Sequence, residues 1–492
     1  MNRGYGILLP IFSLPARHGI GDFGSAAYDF ADILVEYGAK YWQILPLNPG
    51  SPENGESPYF SASSAAINPL LISLDTLKDT GLLTGQDIDA LPAFPGNAIA
   101  YQQVREVKTP LLKKAAAQFI PDESYKLFCR LNGRWLTDFS MFEVLRRTLN
   151  LPFPQWPEPF RLREPMIMAD FMDEYNSDIE AEKTIQFFAW SQWRNLRGYC
   201  KAKGLIVIGD MPIYVSLDSA DTWSAPGLFK LDKRFHPTAV SGVPPDFFSA
   251  TGQLWNNPVY DWKAHKNQGF SWWVERMRHL FSLYDVVRID HFRGLVQYWE
   301  IPHGQPNAIF GTWRDVPSYG LFDRLLAEFK PFPVIAEDLG LITDDVRAIM
   351  NHYGFPGMKV LQFAFGDDNP DNPYLPHAYN ENCVVYTGTH DNPPTRGWLE
   401  NLSNDKERER IVKYLGNVST DQEIVWNLID RAMESKASIA VFPLQDILGL
   451  GKEARINDPG KLLGNWQWRW ENKTDMKPEF DRLSYLGKKY NR

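Results

Sequence analysis

Residues 286–294 read VVRIDHFRG. Val286, Val287 and Ile289 are β-branched, Arg288 and Asp290 alternate with Val287 and Ile289, and Gly294 closes the stretch. That pattern predicts a strand ending near Asp290. Side chains two apart on a strand share a face. Arg288 therefore stands beside Asp290 and favours the charged form of its carboxyl.

Seven other apolar runs end in the same way, in polar or turn residues. They are 7–12 (ILLPIF), 41–47 (YWQILPL), 205–215 (LIVIGDMPIYV), 332–339 (FPVIAEDL), 358–365 (MKVLQFAF), 383–389 (CVVYTGT) and 438–444 (SIAVFPL). Helical patterns at 272–283, 321–329, 344–352, 405–415 and 420–435 separate several of them. Strands alternating with helices pair in parallel, and eight such units predict an α/β fold, a closed (β/α)8 barrel. The alternative is a doubly wound open sheet with a glycine-rich dinucleotide turn after its first strand. GIGDFG at 19–24 is not taken for that turn.

The active site of a barrel lies at the C-terminal ends of its strands. Here those ends carry Asp210, Asp290, Glu337 and His390–Asp391. One acidic strand end can cap the following helix. Four on one rim repel each other and raise each other's pKa, a cost that marks a site of chemistry. The long aromatic segment 241–262 is expected to be a lid or wall over the substrate groove, and 51–60 (SPENGESPYF) a further loop beside it. The stretch 50–200 is mainly helical, with helices expected at 101–119, 141–149 and 179–203. The chain is thus expected to be one catalytic barrel over 1–492, with insertions at about 50–200 and 216–265 forming subdomains above the active site.

Composition narrows the function. The net charge of −9 offers no electrostatic footprint for nucleic acid. Seventeen Trp and 21 Tyr suit sugar binding, because pyranose CH faces stack on aromatic rings. The three cysteines, Cys129, Cys200 and Cys383, lie far apart and in no CxxC, as expected of reduced thiols in a cytosolic protein. The apolar start GILLPIFSLP is broken by Pro10 and reads as a buried strand, not a targeting segment. No run has the length of a membrane span. The nine His residues include no H-x-H or HExxH, and GDDNPDNP at 366–373 has Asn372 where a calcium loop wants Gly. No phosphate-binding glycine loop with a following Lys-Ser/Thr appears. No metal or cofactor is expected.

Several motifs together resemble the 4-α-glucanotransferases of glycoside hydrolase family 77, the amylomaltases or disproportionating enzymes related to α-amylases. They are GILLPIFSLP and HGIGDFG within 6–24, SPYFSASSAAINPLLI at 57–72, IGDMPIYV at 208–215 and GVPPDFFSATGQLWNNPVYDW at 242–262. They continue with VRIDHFRG at 287–294, IAEDLG at 335–340, TGTHDN at 387–392 and GNWQWR at 464–469. The resemblance implies a retaining transfer between maltooligosaccharides or other α-1,4-glucans. It makes Asp290 the nucleophile, Glu337 the general acid/base and Asp391 the third carboxylate, which grips and distorts the sugar. It gives Arg288 the orientation of Asp290, His390 a contact to the donor sugar, and Asp210, Tyr59, Ser57 and Trp255 places around the substrate. ARINDPG at 454–460 is left without a role.

Retention of configuration needs one ionised and one protonated carboxyl, about 5–5.5 Å apart. Arg288 is expected to keep Asp290 ionised, and the apolar strand around Glu337 to keep that group protonated. An α-glucan hydrolase with the same three carboxylates, a metal-dependent barrel hydrolase and a non-catalytic glucan-binding barrel are the competing readings.

Overall fold

The computed structural model describes residues 1–245, 249–402, 405–416, 418–471 and 476–492. Its strands are β1 (Gly4–Leu8), β2 (Tyr41–Gln43), β3 (Ile206–Met211), β4 (Ala239–Val243), β5 (Gln253–Pro258), β6 (Val286–Ile289), β7 (Gln297–Pro302), β8 (Thr312–Asp315), β9 (Val334–Ala336), β10 (Gly357–Val360), β11 (Cys383–Tyr386) and β12 (Ile439–Pro443). Eight of them form one sheet in the order β10-β11-β12-β1-β2-β3-β6-β9, with every pairing in it parallel. These are the eight apolar runs read from the sequence. They are buried on both faces, which is why they read as nearly continuous hydrophobic stretches.

The ends of this sheet meet. The Ala336 N–H at the end of β9 donates to the Pro356 carbonyl just before β10, at 2.9 Å. Asp338 then accepts the Met358 N–H at 2.6 Å. Gly357 makes this seam possible, because a Cβ there would lie 2.6 Å from the Asp338 carboxylate. The result is a (β/α)8 barrel.

The first strand differs from its expected span. It occupies Gly4–Leu8, while Ile11–Ser13 form a 3-10 turn. Pro10 has no N–H to give to the ladder, so the strand ends before it. GIGDFG at 19–24 does have the spacing G-x-G-x-x-G, but its residues serve packing. A Cβ on Gly21 would strike the Ile11 carbonyl oxygen at 1.9 Å, and Asp22 accepts the Gly24 N–H at 2.9 Å just before the helix Ser25–Glu36. A carboxylate thus stands at the helix start, where a dinucleotide's phosphates would bind.

The expected loop 241–262 also differs. Its described part forms β4 and β5, in a four-stranded antiparallel sheet of order β5-β4-β7-β8. Residues 246–248 of that stretch lie outside the described residues. The partner strands β7 and β8 follow β6, so this sheet reaches beyond 216–265.

In the helical insertion, Glu123–Leu149 packs against Asn176–Ala202. The first of these starts 18 residues earlier than the expected 141. Asp122 caps it by accepting the Tyr125 N–H at 2.8 Å, and Asn150 ends it at a φ of 51°. The polar residues around Gly133 hide that first half from periodicity.

Packing also braces the segment after β3. Arg276 stacks on Trp272 and Trp273, donates to the Ile213 carbonyl at 2.9 Å and also bonds the Pro212 carbonyl. Tyr260 adds a bond to the Ile213 carbonyl at 2.7 Å. This fixes the residues immediately beyond Asp210.

Candidate active site

Asp210 on β3 and Arg288 on β6 are direct cross-strand partners. Both are almost completely buried inside the barrel. One guanidinium nitrogen of Arg288 lies 2.8 and 2.7 Å from the two oxygens of Asp210. The other reaches Asp290 Oδ1 at 2.9 Å. One cation thus bridges two strand ends. Asp290 keeps a quarter of its side chain accessible (26%), facing the mouth.

Glu337 follows β9, and the pairing of Ile289 with Ala336 sets it beside Asp290. Both its carboxylate oxygens accept backbone N–H groups, from His291 at 2.7 Å and from Leu339 at 2.8 Å. His291 reaches Glu337 because it adopts a φ of 48°, an uncommon backbone for a non-glycine residue. The Glu337 backbone is bonded to this strand end as well. Its N–H donates to the Ile289 carbonyl and its own carbonyl accepts from the Phe292 N–H, both at 3.1 Å.

The loop after β11 brings in His390 and Asp391. His390 is buried, stacks on Tyr59 with ring centroids 5.5 Å apart, and has Nε2 2.9 Å from Tyr59 Oη and 3.3 Å from Asp391 Oδ1. Tyr59 donates its hydroxyl proton to Asp210 at 2.7 Å and packs against Trp466. A continuous network thus runs from Asp391 through His390, Tyr59, Asp210 and Arg288 to Asp290. Asp446 pins this loop from below, accepting from Thr387 Oγ1, Thr395 N–H and Thr395 Oγ1 at 2.5, 2.6 and 2.6 Å.

A family model described as 4-alpha-glucanotransferase matches residues 9–474. The chain belongs to that family. The glucanotransferase of Aquifex aeolicus is 42% identical over 475 residues, spanning 96% of this chain and 97% of its own. That of Thermus thermophilus is 42% identical over 480 residues, 95% and 94% of the two chains. The solved amylomaltase of Streptococcus agalactiae, in complex with acarbose, superposes with a TM-score of 0.94 at 35% identity, covering 100% of this chain and 99% of its own. The Corynebacterium glutamicum amylomaltase shares the fold with a TM-score of 0.82 at 19% identity, over 98% and 75% of the two chains.

In this glucanotransferase-family chain, Trp255 on β5 packs edge-on against His291 at 4.8 Å and leans on Tyr214. The antiparallel sheet thereby touches the residue that bonds Glu337. Ser57 is buried behind Tyr59, and its hydroxyl oxygen accepts the Tyr59 N–H at 3.3 Å.

The carboxyl pair is electrostatically stressed. Burial pushes the Asp290 pKa well above the ordinary carboxylate range. Arg288 opposes this, while Asp210, Glu337 and Asp391 add to it. Burial raises Glu337 too, with Asp338 adding to it, against the pull of Arg288 and the two backbone donors. Arg288 thus acts on Asp290 in the expected direction, toward the charged form, and burial and three neighbouring acids act against it. Protons bind to such a pair jointly, so a proton on Glu337 relieves Asp290 of one of those charges. Burial also holds His390 below its ordinary range, so its ring is neutral.

Two residues of this site carry no mark in the sequence. Asn457 Nδ2 donates to Asp391 Oδ1 at 2.6 Å, and the Asn457 N–H donates to the His390 carbonyl at 3.1 Å. Arg455 donates to the Asp391 carbonyl at 2.7 Å and to the Asn457 carbonyl at 2.7 Å. ARINDPG therefore clamps Asp391. Asn457→Ala should lower kcat/KM on maltotriose by about 10- to 100-fold, the effect of a carboxylate loosened by a fraction of its length. Steady-state kinetics with a parallel thermal melt check this; an unchanged kcat/KM would remove Asn457 from the account. Among the described residues, no group of three His, Cys, Asp or Glu could hold a metal ion, and the 366–373 turn is tied by Arg410 to Asp368 at 2.8 Å.

Proposed function

We propose that the chain moves segments of α-1,4-glucan from a donor to an acceptor maltooligosaccharide or glucose, through a covalent glycosyl-aspartate on Asp290. The observation that carries this reading is the paired arrangement at one rim. Asp290 sits 2.9 Å from a guanidinium, and Glu337 beside it is held through both oxygens by fixed N–H groups.

The reactive form holds one proton in the pair, on Glu337, with the charge left beside Arg288. Asp290 attacks the anomeric carbon as the glycosidic bond breaks, and the leaving 4-oxygen takes the Glu337 proton. Glu337 is then a carboxylate. It removes the proton from the 4-hydroxyl of an incoming sugar, which attacks the same carbon and frees Asp290. Two inversions leave the product with the α configuration. Asp391, clamped by Asn457, grips ring hydroxyls; His390 contacts the donor sugar, Tyr59 stacks on it, and Asp210 and Ser57 hold Tyr59 and Arg288 in place. Trp255 offers an aromatic wall to the binding groove.

Water could resolve the same intermediate, so hydrolysis is the nearest rival. Family membership favours transfer. Product analysis on maltotriose separates the two: glucose together with maltotetraose, maltopentaose and longer chains is expected, whereas maltose and glucose alone would make the chain a hydrolase. A non-catalytic binding barrel has no use for the buried, mutually repelling acids. Cys129, Cys200 and Cys383 carry free thiols, which supports a reducing, cytosolic setting. Among the described residues no helix is long and apolar enough to cross a membrane.

A further inference from the structure

Beneath the His390 loop lies a small cavity of about 10 Å³, room for a single water molecule. Leu8, Pro394, Pro443 and Ile456 form its apolar walls. Of its polar lining groups, Asn392 Oδ1 is already engaged, accepting from the Thr389 N–H at 2.9 Å and the Thr389 hydroxyl at 3.0 Å. Two buried atoms of the lining have no hydrogen-bond partner among the described residues: His390 Nδ1 and Gln445 Oε1. Both residues are more than nine-tenths buried.

The proton positions follow from the neighbours. Gln445 Nε2 donates to the Ala454 carbonyl at 3.1 Å, which fixes the amide orientation and leaves Oε1 as an acceptor. Asp210 is ion-paired to Arg288, so it accepts from Tyr59, and the Tyr59 oxygen is then open to a donor. That donor is His390 Nε2–H, at 2.9 Å. A neutral imidazole protonated on Nε2 has a bare lone pair on Nδ1. Two acceptors without a partner therefore belong to residues that line one water-sized space. Water is the smallest neutral molecule that donates to both.

We infer that Gln445 is a positioning residue that acts through one ordered water, which donates one proton to Gln445 Oε1 and the other to His390 Nδ1, holding the ring in the Nε2–H tautomer. In that state the single N–H of His390 is given to Tyr59 Oη, and Asp391 Oδ1 lies 3.3 Å from the same nitrogen. Gln445 lies next to Asp446, so the start of one short helix, Leu444–Ile447, both anchors the loop and sets the proton on its histidine. The kinetic part of this inference rests on the proposed glucan transfer; the position of the proton does not.

The test uses the intact chain with 15N-labelled histidine. In the wild type, His390 should show one protonated Nε2 and an Nδ1 shifted upfield as a hydrogen-bonded acceptor. Gln445→Leu should move the Nδ1 resonance toward a free acceptor and lower kcat on maltotriose about 10-fold, with KM changed less than about 2-fold. Gln445→Glu, which keeps an acceptor and adds charge, should restore the Nδ1 shift and raise the His390 titration midpoint. A crystal structure should show the water within hydrogen-bond reach of both atoms. Protonation on Nδ1 in the wild type, or Nδ1 shift and kcat both unchanged in Gln445→Leu, would overturn the inference. Absence of wild-type transfer activity with the expected nitrogen shifts intact would instead refute the glucan-transfer reading.

Discussion

Asp290→Ala is expected to abolish glucan transfer and hydrolysis together, by at least about 10⁴-fold in kcat/KM, the scale seen when a covalent nucleophile is removed. Both outcomes pass through the same bond to Asp290, so neither survives. The fold should survive. Asp290 keeps a quarter of its side chain open to the mouth, and Arg288 keeps its two bonds to Asp210 when Asp290 is gone. Stability should even rise, with a pH dependence whose sign is fixed. The Asp290–Glu337 pair holds its protons more tightly in the folded chain than in the unfolded one, mainly through burial. Its stabilising contribution is thus complete below the unfolded carboxylate range, near pH 4, and is lost as pH rises through the folded value. Asp290→Ala and Asp290→Asn remove that loss. Their melting temperatures should approach the wild type at or below about pH 4 and exceed it increasingly toward pH 8. Melting curves across that range, beside transfer assays, check both halves. A variant that retains transfer, or whose stability gain shrinks with pH, would contradict this account.

Glu337→Gln is the second large effect, and it should be selective. Loss of a positioned general acid costs about 10²–10⁴-fold where the leaving group needs a proton. A maltooligosaccharide donor leaves as a poor alkoxide and should show that loss in full. An α-maltosyl fluoride donor, whose fluoride leaves without a proton, should form the glycosyl-enzyme at a rate within about 10-fold of the wild type. The amide of the Glu337→Gln variant has a single acceptor oxygen for the two N–H groups that His291 and Leu339 now give to the carboxylate, so part of the loss is geometric. Because burial raises the Glu337 pKa, the alkaline limb of the wild-type rate on maltotriose lies above the ordinary carboxylate range. The activity held by the protonated acid is present below that limb and lost as pH rises through it. Equal losses on both donors would mean that Glu337 is not the acid.

Much of this molecule is legible in its sequence for a definite reason. Strands inside a parallel barrel are buried on both faces, so they appear as short apolar runs, and VVRIDHFRG carries its own functional end. The alternation of Arg288 and Asp290 foretells their contact. The partner of Arg288 at Asp210, 78 positions away, follows only from the register of β3 on β6. The antiparallel sheet is hidden because β5, QLWNNP, is rich in polar residues and ends in proline, and the sheet is completed by β7, well beyond the segment that holds β4 and β5. Asn457 and Arg455 are hidden for another reason. They act largely through backbone groups and an amide, in an irregular segment whose residue types carry no catalytic signature. The balance of charge at Asp290 is also beyond the sequence, since one arginine next to one aspartate gives no measure of burial or of the three other acids around it.

The central claim is a covalent bond from Asp290 to glucan. The most direct measurement is to react Glu337→Gln with α-maltosyl fluoride, without an acceptor, and weigh the protein. The account predicts an intact mass increased by one maltosyl unit, with the added mass on the proteolytic fragment containing Asp290. It also predicts discharge of that unit as maltosyl azide when azide, a nucleophile that needs no general base, is supplied. No adduct under conditions where fluoride is released, or an adduct on a fragment without Asp290, would contradict it.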